Sequence, residues 1–451
     1  MTSPATAALP PVDHPYAAFA FRDYRMFFLA RITNNFGTNI MMPALGWQIY
    51  TLTRDPLALG LIGMAVFIPV VLSTLPAGQA ADRLERRRVY QMSQLVLVLS
   101  ALSFVGLSLG HATTPLYFYL AAAVFGAGKT FSMPTAMAWM PHLLPRAHFP
   151  NGVAWTSSAF QISNVVGPAI VGFTLYAFGE APTYALAAAC YFASFLFAAL
   201  VRTRSRGADN RQASIAHLFS GLSYIWRNRL IFGATTLDLF ALLLGGATAM
   251  LPVYAHEVLH VGEGGFGILR SAPAIGAAAT GLLLAHRPLR DKVGTWLFAS
   301  VTLYGGTVIL FGISRIFILS VLVLILLGAA EMIGGFIRQT LVQLSTHDDM
   351  RGRVTSINMM FGSARNELGD VQSGFVASLI GVVPAVVLGG ACTLVVAGLW
   401  AWLFPALRNA NRFDDAFADL PQKADGSPPA PIQPTRLTTA VVIEELLEEK
   451  A

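Results

Sequence analysis

Twelve apolar stretches of about 20 residues or more follow one another along this chain, separated by short polar turns. Some 20 such residues wound into a helix just cross the hydrocarbon of a bilayer. The stretches lie near 25–50, 58–78, 89–110, 115–138, 153–178 and 183–201, and then near 230–254, 266–286, 294–312, 317–342, 354–380 and 384–404. Only 12% of the 451 residues are charged and 55% are hydrophobic, against about 25% charged in an average soluble chain. Water cannot solvate so bare a surface, but lipid can. The expected fold class is therefore an all-α polytopic membrane protein with twelve transmembrane helices. Met1 to Pro15 carries no Lys or Arg and no apolar core, which does not match a cleavable signal; the first span should act as an uncleaved one.

The basic residues fall on alternate turns. Arg83, Arg86, Arg87, Arg88, Arg146, Arg202, Arg204, Arg206, Arg211, Arg227, Arg229, Arg287, Arg290, Lys292, Arg351 and Arg353 lie on one set, and only Arg54 and Arg315 on the other. Because basic turns stay inside, both termini should be cytoplasmic in a bacterial inner (cytoplasmic) membrane. This placement also accounts for the net charge of +6 without nucleic acid. The expected divisions are a cytoplasmic N-terminal segment (1–24), a six-helix bundle (25–201), a linker (202–229), a second six-helix bundle (230–404) and a cytoplasmic tail (405–451). In the linker, Ile215, Leu218, Phe219, Leu222, Ile225 and Trp226 form a helical apolar stripe, suited to the membrane surface. The Pro-rich part of the tail, 421–435, reads as disordered.

The halves repeat. An offset of 202 residues pairs Gly167 with Gly369, Gly172 with Gly374, Gly179 with Gly381, Pro182 with Pro384 and Cys190 with Cys392. Met42-Pro43 before Gly60 matches Leu251-Pro252 before Gly267 at a slightly different spacing. Six spans followed by six in parallel orientation is a pattern of secondary transporters, whose two bundles rock about a site between them.

The turn after the second span reads Gly78-Gln79-Ala80-Ala81-Asp82-Arg83-Leu84-Glu85-Arg86-Arg87-Arg88. It resembles the signature of the major facilitator superfamily. The resemblance covers residues 22–405 and implies two pseudo-symmetric six-helix bundles, the major facilitator fold. It also implies a gating role for Gly78, Asp82, Arg83, Arg86 and Arg87, with Asp82 facing the start of span eleven near Arg353; otherwise these residues are topology charges alone. The second-half copy, Ala285 to Lys292, keeps the basic charge but loses the glycine. Gly167, Pro168 and Gly172 resemble the Gly-Pro motif of proton-exchanging exporters, although Ser163 and Val171 stand where that motif prefers glycine. The plainer reading is a kink and packing site. Three elements, Ala44 to Thr53 followed by Asp55-Pro56, Arg338 to Leu344 leading to Met350-Arg351-Gly352-Arg353-Val354, and Asn366-Glu367-Leu368-Gly369, look like the branch containing the enterobactin exporter and the macrolide efflux proteins. That branch implies efflux of a siderophore or drug-like molecule.

Ionisable residues inside a membrane cost roughly 2.5–3.5 kcal/mol each on insertion scales and demand a purpose. Arg31, Lys129, Asp238, Arg270, Glu331, Arg338, Arg365, Glu367 and Asp370 are so placed. Proton coupling needs a carboxyl that changes charge during the cycle, and Glu331, Glu367, Asp370 and Asp238 are the candidates. Structural pairing, such as Glu331 with Arg338 or Asp370 with Arg365, is the alternative. Arg31, Asn34, Asn35 and Asn39 form a broad polar face that should line a wet cavity. Lys129 and Arg338 could draw an anionic substrate into it.

Two cysteines leave no disulfide framework, and no phosphate-binding loop, zinc motif or nucleophile turn occurs. His256 and His260 flank Glu257, but no third ligand is evident. The expected function is a secondary active, proton-coupled exporter of a small organic molecule, working as a monomer in the bilayer by alternating access without a cofactor, metal or nucleic acid, and not an enzyme. An importer of a nutrient or lipid, or a membrane-embedded non-transport protein, is the alternative.

Overall fold

A computed structural model describes residues 14–205, 222–226, 228–287, 289, 291–346 and 348–411, with the backbone alone at several positions between 348 and 367. The described residues contain helices and no strand. Twelve long helical segments follow the apolar stretches: α1 (Arg22–Thr53), α2 (Pro56–Arg83), α3 (Arg86–Leu109), α4 (Pro115–Trp139), α5 (Phe149–Phe178), α6 (Glu180–Leu200), α7 (Arg229–Leu244), α8 (Glu263–His286), α9 (Val293–Ile313), α10 (Phe317–Leu344), α11 (Asp348–Ile380) and α12 (Val382–Leu403). Only α7 is broken. After Gly245 it continues as a 3-10 turn, Ala247–Met250, then Leu251–Val253 and a π turn, Tyr254–Val258.

Nine helical segments among the described residues are long and apolar enough to cross a membrane by length and composition alone. The other three long helices, α1, α4 and α11, carry in-membrane polar residues: Arg31 and the asparagines, Lys129, and Arg365 with Asp370. Such helices need protein or water beside them rather than lipid.

The pairings within each half repeat. In the first half α1 packs on α5 and α6, α3 on α4 and α6, and α2 on α4; six helices on, α7 packs on α11 and α12, α9 on α10 and α12, and α8 on α10. The backbone repeats as well. Gly179 and Gly381, both at the hairpin between the last two helices of a half, have φ of 83° and 88°, a conformation that only glycine enters without cost. The internal repeat thus extends from sequence to backbone.

The halves meet through two symmetry-related pairs, α5 with α8 and α2 with α11. Glycine makes both approaches possible. A Cβ on Gly172 would stand 2.7 Å from Gly267 Cα, and one on Gly374 would stand 2.8 Å from Gly60 N. Both contacts lie toward the arginine-poor end. An apolar cluster there joins Tyr50, Ile62 and Val171 of the first half to Leu251, Phe266 and Ala377 of the second. At the arginine-rich end, clusters stay within one half: Tyr24, Tyr90 and Trp139 in the first, Leu297, Ile337 and Leu407 in the second. Among the described residues the halves are thus joined at the arginine-poor end, and no apolar cluster joins them at the other.

The start of the linker is tied to the first half. Asp23 accepts from the backbone N–H groups of Arg202 (3.2 Å) and Thr203 (2.8 Å), and Arg87 Nη1 donates to the Val201 carbonyl (2.9 Å). Of the predicted linker stripe, Ile215, Leu218 and Phe219 lie outside the described residues. Residues 222–226 form a helical turn that buries Ile225 against Ile231, Val342 and Val354 and leaves Trp226 70% exposed. The predicted disordered stretch 421–435 also lies outside the described residues.

Candidate functional site

Midway through the second bundle four charged side chains meet. Asp238 on α7 stands between two guanidinium groups: Arg365 of α11, which hydrogen-bonds its Oδ2, and Arg338 of α10, whose Nε lies 3.2 Å from Oδ1. That Nε makes no aligned hydrogen bond, so Arg338 is held by charge rather than direction. Arg365 also donates through Nη2 to Glu331 Oε1 at 3.2 Å. The set sums to zero, two carboxylates against two arginines, which is how a hydrocarbon interior tolerates charge. Glu331 therefore pairs with Arg365 rather than with Arg338. The spacing of seven places Glu331 and Arg338 on one face of α10, but α7 and α11 supply the partners.

The two carboxylates are unequal. Asp238 engages two arginines and its side chain is 16% exposed; Glu331 engages one and is 40% exposed. Asp238, Glu331, Arg338, Tyr304, Ser300 and Gly334 line a small cavity. Tyr304 Oη donates to the carbonyl of Gly245, where α7 breaks (3.2 Å).

The polar face of α1 divides between two surroundings. Asn34 and Asn35 are 7% and 6% exposed and do not line an open cavity. Asn34 Oδ1 accepts from Gln94 Nε2 of α3 (3.1 Å) and Ser132 Oγ of α4 (3.4 Å). The face was too broad for one cavity, and neighbouring helices supply Asn34 with polar partners that sequence spacing along α1 alone cannot reveal, while Asn35 Nδ2 is buried with no partner among the described residues. Asn39 Nδ2 donates to Asn164 Oδ1 on α5 (3.0 Å). Among the described residues Arg31 is half-buried without a hydrogen bond or ion pair, and half-buried Lys129 has a partner of its own. Asp370 is half-buried and within electrostatic reach of Arg270, which donates to the Thr248 carbonyl (3.1 Å). The side chains of Asn366 and Glu367 lie outside the described residues.

At the arginine-poor end two polar contacts bridge the halves. Tyr50 Oη donates to Glu257 Oε1, and Arg54 Nη1 lies 2.6 Å from His256 Nε2. The pair His256 and Glu257 thus faces α1, and no metal-ligating cluster of three occurs among the described residues. At the other end, no hydrogen bond or ion pair joins the predicted gating loop to α11 among the described residues. A Cβ on Gly78 would meet nothing within 4 Å among the described residues, so Gly78 stands at no close helix approach in this conformation. Asp82 makes no ion pair among the described residues. Arg86 Nε donates to the Ala81 carbonyl (3.2 Å), and Arg87 holds the linker. Gly167 packs on Asn39 of α1, and Pro168 O and Gly172 on Gly267 of α8. Sequence reasoning left Tyr304 and Gln94 out of the site because nothing in their spacing sets them apart from other residues on apolar helices.

Residues 13–433 match the family model described as transmembrane secretion effector. The multidrug efflux pump Tap of Mycolicibacterium fortuitum is 26% identical over 405 residues, 86% of this chain and 96% of that protein. The enterobactin exporter EntS of Citrobacter koseri is 25% identical over 422 residues, 90% and 95% of the two. Among solved structures, a bacterial homologue of the human lysosomal transporter Spinster superposes with a TM-score of 0.67 at 13% identity, over 89% of this chain and 99% of that one. The nucleoside transporter NupG gives 0.61 at 15%, over 85% and 99%. These likenesses concern the fold.

Proposed function

Since the chain belongs to the transmembrane secretion effector family of the major facilitator superfamily, we propose that it is a proton-coupled exporter of a small organic molecule, siderophore or drug-like, working by alternating access. The similarity to Tap and EntS over most of each chain supports export. The observation that carries the coupling is the sharing of Arg365 between Asp238 and Glu331. Glu331, with one arginine contact and the larger exposure, takes and releases the proton. When it is neutral, Arg365 turns wholly to Asp238; when it is charged, Arg365 is shared again. Asp238 keeps its two arginines and holds α7, α10 and α11 in register.

In this reading the arginine-rich end faces the cytoplasm, so the conformation is inward-open and ready to load. The loop carrying Asp82 closes on the start of α11 near Arg353 in the opposite, outward-open state. Arg31, Asn39 and Lys129 serve the substrate from the first bundle, and Arg338 from the second.

Everted vesicles acidified inside are the decisive assay. A proton-coupled exporter accumulates substrate there, and Glu331→Gln abolishes gradient-driven accumulation while retaining substrate counterflow. Accumulation by Glu331→Gln equal to the parent would remove Glu331 from the coupling step. Efflux instead of accumulation by the parent would mark an importer. Single cysteines placed at Thr113 and Gly262 react with an impermeant reagent from outside the cell, and cysteines at Arg87 and Arg204 do not; the reverse labelling would invert the orientation.

A further inference from the structure

A second cleft, of about 480 Å³, lies outside the transport site at the arginine-rich end of the first bundle. α2 and α3 each pack along α4 but barely touch one another. The cleft occupies the gap between them, with Ala127, Gly128 and Phe131 of α4 as its floor.

Its lining changes character with depth. Arg83 and Arg88 stand at the mouth with Glu85; Met92 and Val96 lie one and two further turns along α3. From Arg88 to Val96 is eight residues, about 12 Å of helix, against roughly 15 Å for half the hydrocarbon thickness. Leu84 and Met92 are 56% and 59% exposed, so the cleft opens sideways onto the lipid-facing surface. At the mouth, Glu85 takes Arg88 Nε at 2.9 Å and lies 4.0 Å from Arg204, while Arg83 has no ion pair among the described residues. Three guanidinium groups against one carboxylate leave a surplus of two positive charges.

We propose that this cleft is a binding site for an anionic phospholipid of the arginine-rich leaflet. The phosphodiester sits among Arg83, Arg88 and Arg204, and one acyl chain lies along Met92 and Val96 over Gly128. The charge surplus selects an anionic headgroup over a zwitterionic one, and the apolar depth selects a lipid over free phosphate. This site rests on the membrane fold alone and is independent of the direction of transport and of Glu331.

The test uses the purified full-length protein in detergent, titrated with phosphatidylglycerol or phosphatidylcholine of identical acyl chains and read by native mass spectrometry. At roughly 1 kcal/mol per basic residue near a headgroup, the surplus of two charges should make the wild type retain phosphatidylglycerol about thirty-fold better. Arg83→Gln with Arg88→Gln should bring the two lipids to parity. If that pair does not fold, Arg88→Gln alone should lower the preference several-fold. Met92→Trp, which fills the cleft without changing charge, should reduce retention of phosphatidylglycerol. Equal retention of the two lipids by the wild type, a preference that survives the charge substitutions, unchanged retention in Met92→Trp, or displacement of the lipid by inorganic phosphate alone would each overturn the proposal.

Discussion

Gly172 of α5 and Gly267 of α8 touch backbone to backbone: a Cβ on the first would stand 2.7 Å from the second's Cα, and one on the second 2.6 Å from the first's. Neither backbone can yield, because each is held in its own helix. Gly172→Val should therefore force α5 and α8 apart and break the seal at the arginine-poor end. The expected outcome is a loss of transport of at least ten-fold, with faster labelling of a reporter cysteine placed at Gly46 from that side. Val371→Ala on α11, at the matching contact with Gly60, adds no volume and should leave both readouts near the parent.

Asp238 anchors the charge quartet, and removing one partner of a buried ion pair costs roughly 3–5 kcal/mol. Asp238→Asn should lower thermal stability in detergent accordingly, because Arg338 and Arg365 are left facing one carboxylate. Adding Arg338→Gln restores the balance and should recover a substantial part of the loss. Simple addition of the two single effects in the double-mutant cycle would show that the two residues do not act together.

The bridge from Tyr50 to Glu257 is one of the two polar ties that the described residues make across the arginine-poor end. Tyr50→Phe removes the donor and keeps the ring. It should shift the protein toward the state open at that end, seen as a several-fold increase in the labelling rate of a cysteine placed at Gly46. Unchanged labelling would leave the seal to the glycine contacts and the apolar cluster alone.

Asp23 ties the linker to α1. Burial pushes its carboxyl upward, but the Thr203 hydroxyl, the backbone N–H groups of Arg202 and Thr203, and the charge of Arg22 outweigh that and hold it below its ordinary value of 3.8. A carboxylate lowered on folding contributes stability in full above its unfolded value, and loses it as pH falls through the folded value. The parent should thus lose stability below about pH 4 through this group. Asp23→Asn should flatten that part of the profile and cost on the order of 1–2 kcal/mol at neutral pH. Parallel profiles from pH 3 to 6 would exclude Asp23 as the titrating group.

Much of the fold was legible because lipid imposes simple rules. A span is a run of apolar residues of fixed length, and basic turns alternate; even the hairpins at Gly179 and Gly381 were marked by their offset. The site was legible in composition but not in pairing. Asp238, Glu331, Arg338 and Arg365 each stood out as charges in apolar helices. Which carboxylate meets which arginine depends on the rotation of α7, α10 and α11 about their axes, and helical periodicity within α10 pointed Glu331 at Arg338. Asn34 misled for the same reason, since Gln94 and Ser132 come from other helices.

The charge quartet has an electrical consequence. With all four members ionised its valence is zero, so a step that carries it between conformations moves no net charge through the membrane field. One added proton gives it a valence of one, worth about 2.3 kcal/mol across a full 100 mV drop. In the proposed proton-coupled cycle, voltage therefore acts on the protonated arm and passes over the other, so membrane potential and pH difference drive different steps.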